Sequence, residues 1–134
     1  MGSEGRIRWV VTEAAHADIG EVRALRGEEG YRVDVYDLRA LLAGYFDATS
    51  GCNSKMGKTV CPIGATSAGG KVLKVRWKYP GSGKSGGLRL CFAVFCELRL
   101  VVLCHASIRR DVDDDILVHS ASDADCYLAV HADD

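Results

Sequence analysis

Residues 71–108 read KVLKVRWKYPGSGKSGGLRLCFAVFCELRLVVLCHASI, and three short apolar runs inside this stretch decide the fold. In KVLKVRWKY, Leu73, Val75 and Trp77 alternate with Lys74, Arg76 and Lys78. Alternation with period two predicts a strand that packs one face on a core and presents cations on the other. Leu88–Cys96 (LRLCFAVFC) is apolar on both sides except at Arg89, and predicts a second strand. Leu100–Ile108 (LVVLCHASI) predicts a third, entered by a short turn at Glu97–Arg99. The intervening PGSGKSGG is a loop by composition. Strands that follow one another through short connections pair antiparallel.

Working outward, Arg6–Val11 (RIRWVV) is β-branched and apolar enough for an earlier strand. Thr12 can then cap a helix through its side-chain oxygen. Ala15, Ile19, Val22 and Leu25 recur at helical spacing up to a breaker at Gly27–Gly30. Val35, Leu38, Leu41, Leu42 and Tyr45 mark a second helix, so the two read as a helical hairpin. Residues 47–70, rich in Gly, Ser, Thr and Ala, read as an inserted mobile loop. Beyond Asp111, DVDDDILVH suggests a short helix, and the rest of 111–134 a frayed acidic tail. The expected fold is one α+β domain over 1–134. Its N-terminal strand and helical hairpin pack on one face of a twisted antiparallel sheet.

A chain of 134 residues, 48% hydrophobic and 26% charged, can bury a core without staples. The longest apolar stretch, Leu90–Ala106, is broken by Glu97 and Arg99, and the N-terminus is charged where a signal peptide is apolar. Neither membrane insertion nor secretion is expected, and the chain reads as cytoplasmic. The six cysteines include no Cys-x-x-Cys pair, and Cys91, Cys96 and Cys104 lie in apolar runs. Reduced thiols are expected, with no metal site.

The net charge of −1 conceals a division along the chain. Lys71–Arg110 carries nine Lys or Arg against Glu97 alone, and Asp111–Asp134 carries eight Asp with no Lys or Arg. A basic block followed by an acidic one points to a polyanionic partner and a segment that competes with it. Lys74, Arg76 and Lys78 on one strand face stand roughly 7 Å apart, near the spacing of phosphates along an extended single strand. Gly83-Lys84-Ser85 imitates the end of a P-loop, but Lys78 occupies the position of the first glycine and a strand follows, so nucleotide hydrolysis is not expected. Of the four histidines, His105 alone sits in a strand, and alternation puts it on a face with Val101, Leu103 and Ser107.

The run KVLKVRWKYPGSGKSGGLRLCF resembles the core signature of the RelE/ParE toxin superfamily, in its RelE/HigB-like branch. The residues that carry the likeness are Lys74, Arg76, Trp77, Gly81, Gly83, Lys84, Ser85, Gly86, Gly87 and Arg89. VVLCHASIRRDVDDDI also resembles the family's closing strand and tail, and together these cover about a third of the chain. The resemblance implies a toxin of a type II toxin–antitoxin pair, held in check by a cognate antitoxin protein. It further implies metal-independent cleavage of mRNA in the ribosomal A site, without any cofactor. The 2′-hydroxyl attacks the adjacent phosphate while cations stabilise the developing charge. On this reading Arg89 and Arg76 clamp the phosphate and His105 transfers protons near neutral pH. Lys74, Lys78, Lys84, Arg109 and Arg110 bind RNA. The chain departs from the family where a Tyr and a Lys-containing segment are replaced by His105-Ala106-Ser107-Ile108-Arg109-Arg110. A toxin of the same fold that poisons DNA gyrase, or an inactive antitoxin- or RNA-binding module, is the alternative.

Overall fold

The computed structural model describes residues 7–46, 60–77, 88–107 and 114–130. Strand β1 (Arg8–Val11) leads into a helix α1 (Glu13–Phe46) whose backbone breaks once, at Gly27. Gly27 has φ 76° and ψ 162°, a region open essentially to glycine alone, and the chain folds there into the two arms of the expected hairpin. Gly30, the other half of the expected breaker, stays helical. Thr12 Oγ1 accepts the Ala15 N–H at 3.2 Å, which is the cap the sequence suggests. Ala15, Val22 and Leu42 are buried beneath the arms, but Leu25, expected on the same apolar face, is half exposed beside the break.

Four further strands follow: β2 (Val60–Ala65), β3 (Lys71–Trp77), β4 (Leu88–Phe95) and β5 (Leu100–Ser107). The sheet order is β1-β5-β4-β3-β2. Strands β3, β4 and β5 pair antiparallel as expected and β2 joins β3 antiparallel, but β1 lies parallel to β5, so the sheet is mixed. Side-chain alternation encodes which face a residue occupies and is silent on the direction of a distant neighbour. Parallel pairing needs a long crossover, and residues 12–99 supply it between β1 and β5.

Strand β2 falls inside the stretch that composition reads as loop. Pro62 and a register shift between Pro62 and Gly64 interrupt its ladder with β3. Both are tolerated because β2 is an edge strand. Gly70 precedes β3 under the ring of Phe95, where an added Cβ would lie 2.7 Å from Cζ.

The sheet is covered on both faces, not on one as the sequence suggested. On one side α1 closes over Leu73, Val75, Leu88, Leu90, Phe92 and Val94. On the other, helices α2 (Asp114–Ser120) and α3 (Ser122–Val130) close over Val72, Cys91, Ala93, Phe95, Val102 and Cys104. Leu117, Ala121 and Ala124 are fully buried in that second layer. The short helix expected in DVDDDILVH is α2, whereas the remainder read as a frayed tail forms α3, and over 114–130 the two make a packed layer of the core. It is also what the apolar β4 requires, since a strand buried on both faces needs two covers. Cys91, Cys104 and Cys126 are free thiols, whereas Cys96 is disulfide-bonded, against the expectation of reduced cysteines throughout.

Candidate functional site

The register of β3, β4 and β5 assembles the basic residues singled out in the sequence. Arg76 pairs with Arg89, and Arg89 pairs in turn with Ser107 on β5. One step along, Lys74 pairs with Cys91, and Cys91 with His105. Neighbouring strands lie about 4.8 Å apart, so Arg76, Arg89 and Ser107 form a row across three strands. Arg76 is exposed and Arg89 half-buried. Neither arginine has an ion-pair partner among the described residues. Like charges directly opposite one another in a sheet repel, and an anion laid across the row relieves that repulsion.

The cationic face is not wholly open. Val72, on the same side of β3 as Lys74 and Arg76, is buried beneath α2 and α3. Lys74 is also half-buried, its Nζ donating to Asp114 Oδ1 at 2.7 Å at the start of α2. The open cations thus begin at Arg76, where the helical cover ends. Lys78, Lys84, Arg109 and Arg110 lie outside the described residues.

A bulge sets the position of His105. Cys91 pairs with His105 and Phe92 with Leu103, so Cys104 is the extra residue on β5. The extra residue breaks the expected shared face of Val101, Leu103, His105 and Ser107. Val101 and Leu103 belong to the α1-side core together with Ala106. Ser107 therefore turns to the other face, beside Arg89. Bulges re-aim side chains in this way, and no residue type in LVVLCHASI announces one.

Next to the bulge, the His105 Nδ1 lies 3.8 Å from Asp18 Oδ2 on the first arm of α1. The same carboxylate oxygen accepts the Ala106 N–H at 3.2 Å. This bond closes the part of the β5 edge that β1, which reaches only to Leu103, leaves uncovered. His105 Nε2 is shielded from solvent and has no hydrogen-bond partner among the described residues. Sequence reasoning missed Asp18, because nothing in helical periodicity distinguishes a carboxylate that meets a strand edge from one facing water.

The neighbouring thiols are chemically quiet. Burial, with a smaller push from Asp114, raises the Cys91 thiol to about 12. Burial, then Cys91, raises Cys104 to about 12 as well. Cys91 Sγ donates to Leu117 O at 3.4 Å and acts as a core residue under α2. Among the described residues, no group of three or more His, Cys, Asp or Glu side chains is placed to hold a metal ion, and no helix is long and apolar enough to cross a membrane. In comparisons with known proteins, the chain matches no family model, no curated protein and no solved structure.

Proposed function

We propose that the protein is the toxin of a type II toxin–antitoxin pair, an mRNA endoribonuclease that acts on the ribosome in the cytoplasm and is neutralised by a cognate antitoxin protein. The observation that carries the reading is the row of Arg76 and Arg89 on neighbouring strands, side by side and without carboxylate partners among the described residues. Support also comes from the order of elements. A strand and a helical hairpin precede three consecutive antiparallel strands, the order expected from the RelE/ParE resemblance, although β2 intervenes before them and two helices follow.

The chemistry needs no more than these side chains can supply. Two guanidinium groups at one strand spacing can hold the two non-bridging oxygens of a phosphodiester and stabilise the charge that builds during attack by the 2′-hydroxyl. Arg89, between Arg76 and Ser107, is the central ligand of the phosphate. His105, one pair along, handles protons. Lys74, Lys78, Lys84, Arg109 and Arg110 contribute affinity for the RNA backbone without sequence choice.

Induced expression in a bacterial host tests this directly. Growth arrest accompanied by cut mRNA is the expected result, and Arg89→Ala is expected to abolish both while leaving the circular dichroism spectrum unchanged. Arrest with intact mRNA and broken DNA would move the reading to gyrase poisoning by the same fold. Full toxicity in Arg89→Ala would remove Arg89 from the site.

A further inference from the structure

We infer that Asp18 is the positioning residue of His105, so that a helix-borne carboxylate and a strand-borne imidazole together form the proton-transfer centre; this rests on the nuclease reading above. Three observations converge on it. The bulge at Cys104 places His105 next to the uncovered edge of β5, facing the first arm of α1. Asp18 is anchored there by the Ala106 N–H at 3.2 Å, which fixes its carboxylate 3.8 Å from His105 Nδ1. The opposite nitrogen, Nε2, is shielded and unpartnered among the described residues. A buried polar atom without a partner calls for an explanation, of which a catalytic role is one.

A carboxylate beside Nδ1 favours the tautomer with the proton on Nδ1 and leaves the Nε2 lone pair as the base. In the step this permits, the imidazole turns as the RNA docks, which brings the shielded Nε2 to the 2′-hydroxyl, and Nε2 takes its proton as the O2′–P bond forms. The P–O5′ bond breaks, O5′ takes a proton from water, and the products are a 2′,3′-cyclic phosphate and a 5′-hydroxyl. The imidazolium formed keeps Nδ1–H toward Asp18 and then returns its extra proton to water. The separation of 3.8 Å is longer than a hydrogen bond, as catalytic contacts often are before substrate closes the site. No other described acid pairs with His105. Its neighbours on β4 and β5, Cys91 and Cys104, keep their protons at neutral pH.

The test pairs a rate with a structural readout. Asp18→Asn retains an acceptor for the Ala106 N–H, so its melting temperature should match the wild type. Its steady-state cleavage of mRNA on programmed ribosomes should fall by about tenfold or more, in kcat and not in KM. In a His105→Gln background the same substitution should cause no further loss, because the two residues act as a unit. Independent, multiplying losses, or an unchanged rate in Asp18→Asn, would overturn the inference while leaving the nuclease reading intact. Should the wild type cleave nothing, the nuclease reading fails, and 15N spectra of His105 still decide the positioning. The Nδ1–H tautomer should dominate in the wild type and lose its dominance in Asp18→Asn. Identical spectra would overturn the pairing.

Discussion

Asp34 ties the helical hairpin to the sheet beside the candidate site. It is 4% exposed, takes Arg26 through two hydrogen bonds at 2.6 and 3.3 Å, and accepts the Trp77 indole N–H at 3.1 Å. The two arms on either side of Gly27 and the last residue of β3 thus share one carboxylate. Removing one partner of a buried ion pair leaves the other charge uncompensated. Asp34→Ala should therefore lower stability by about 3 kcal/mol, read as a fall in the urea midpoint. The thiols predict a pH effect whose sign follows from their direction. Cys91 and Cys104 are raised from an ordinary value of 9.0 to about 12, so above pH 9 the unfolded chain loses protons that the native state keeps. Stability contributed by these groups is complete below pH 9 and declines as pH rises toward 12. Denaturant titrations at pH 8 and 10 should show the drop, and Cys91→Ala with Cys104→Ala should flatten it. The residue scale is also where the sequence was least legible. Arg76, Arg89 and Lys74 follow from alternation and charge, since period two alone assigns them a face. Asp18, Asp34 and the aim of His105 depend on long-range contacts and on one inserted residue, none of which leaves a periodic trace.

The elements were legible wherever one pattern ruled a segment. The three strands of residues 71–108, the Thr12 cap and the break near Gly27 all follow from local chemistry that tertiary contacts did not override. Strand β2 was not, because Pro62 and Gly64 describe a loop unless the segment lies at an edge, and edge position is a property of the whole sheet. Helix α2 was legible in DVDDDILVH, but α3 was hidden for a related reason. Aspartates stand in its first turn, while Ala121 and Ala124 supply the buried contacts from small residues. The break in α1 gives the sharpest test at this scale. Gly27→Ala forces a side chain into a backbone region that costs of order 1–3 kcal/mol for other residues, and the hairpin should lose about that much in thermal or urea unfolding. Gly20→Ala, in a helical stretch with open space around it, should instead be neutral or stabilising. Equal effects of the two substitutions would mean that Gly27 is not the pivot.

For the molecule as a whole, the division of charge along the chain becomes a contact in space. The acidic segment returns to the basic sheet face, where Asp114 engages Lys74 at 2.7 Å, while the apolar side of the same helices completes the core. Truncating the C-terminal helices would therefore remove core and cover together, and a point substitution separates the two. Asp114→Asn releases Lys74 at an exposed carboxylate whose pairing contributes little stability. It should leave the melting temperature nearly unchanged, tighten RNA binding at low salt, and steepen the salt dependence by about one counterion. Unchanged affinity would show that α2 serves packing alone. Ribosome-dependent cleavage at the row of Arg76 and Arg89 has a direct readout. It is tested most directly by incubating the purified protein with an mRNA, with and without programmed ribosomes, and mapping the new 5′ ends. Cuts that require the ribosome and vanish in Arg89→Ala are expected; no cuts under either condition, or cuts that persist in Arg89→Ala, would overturn the assignment.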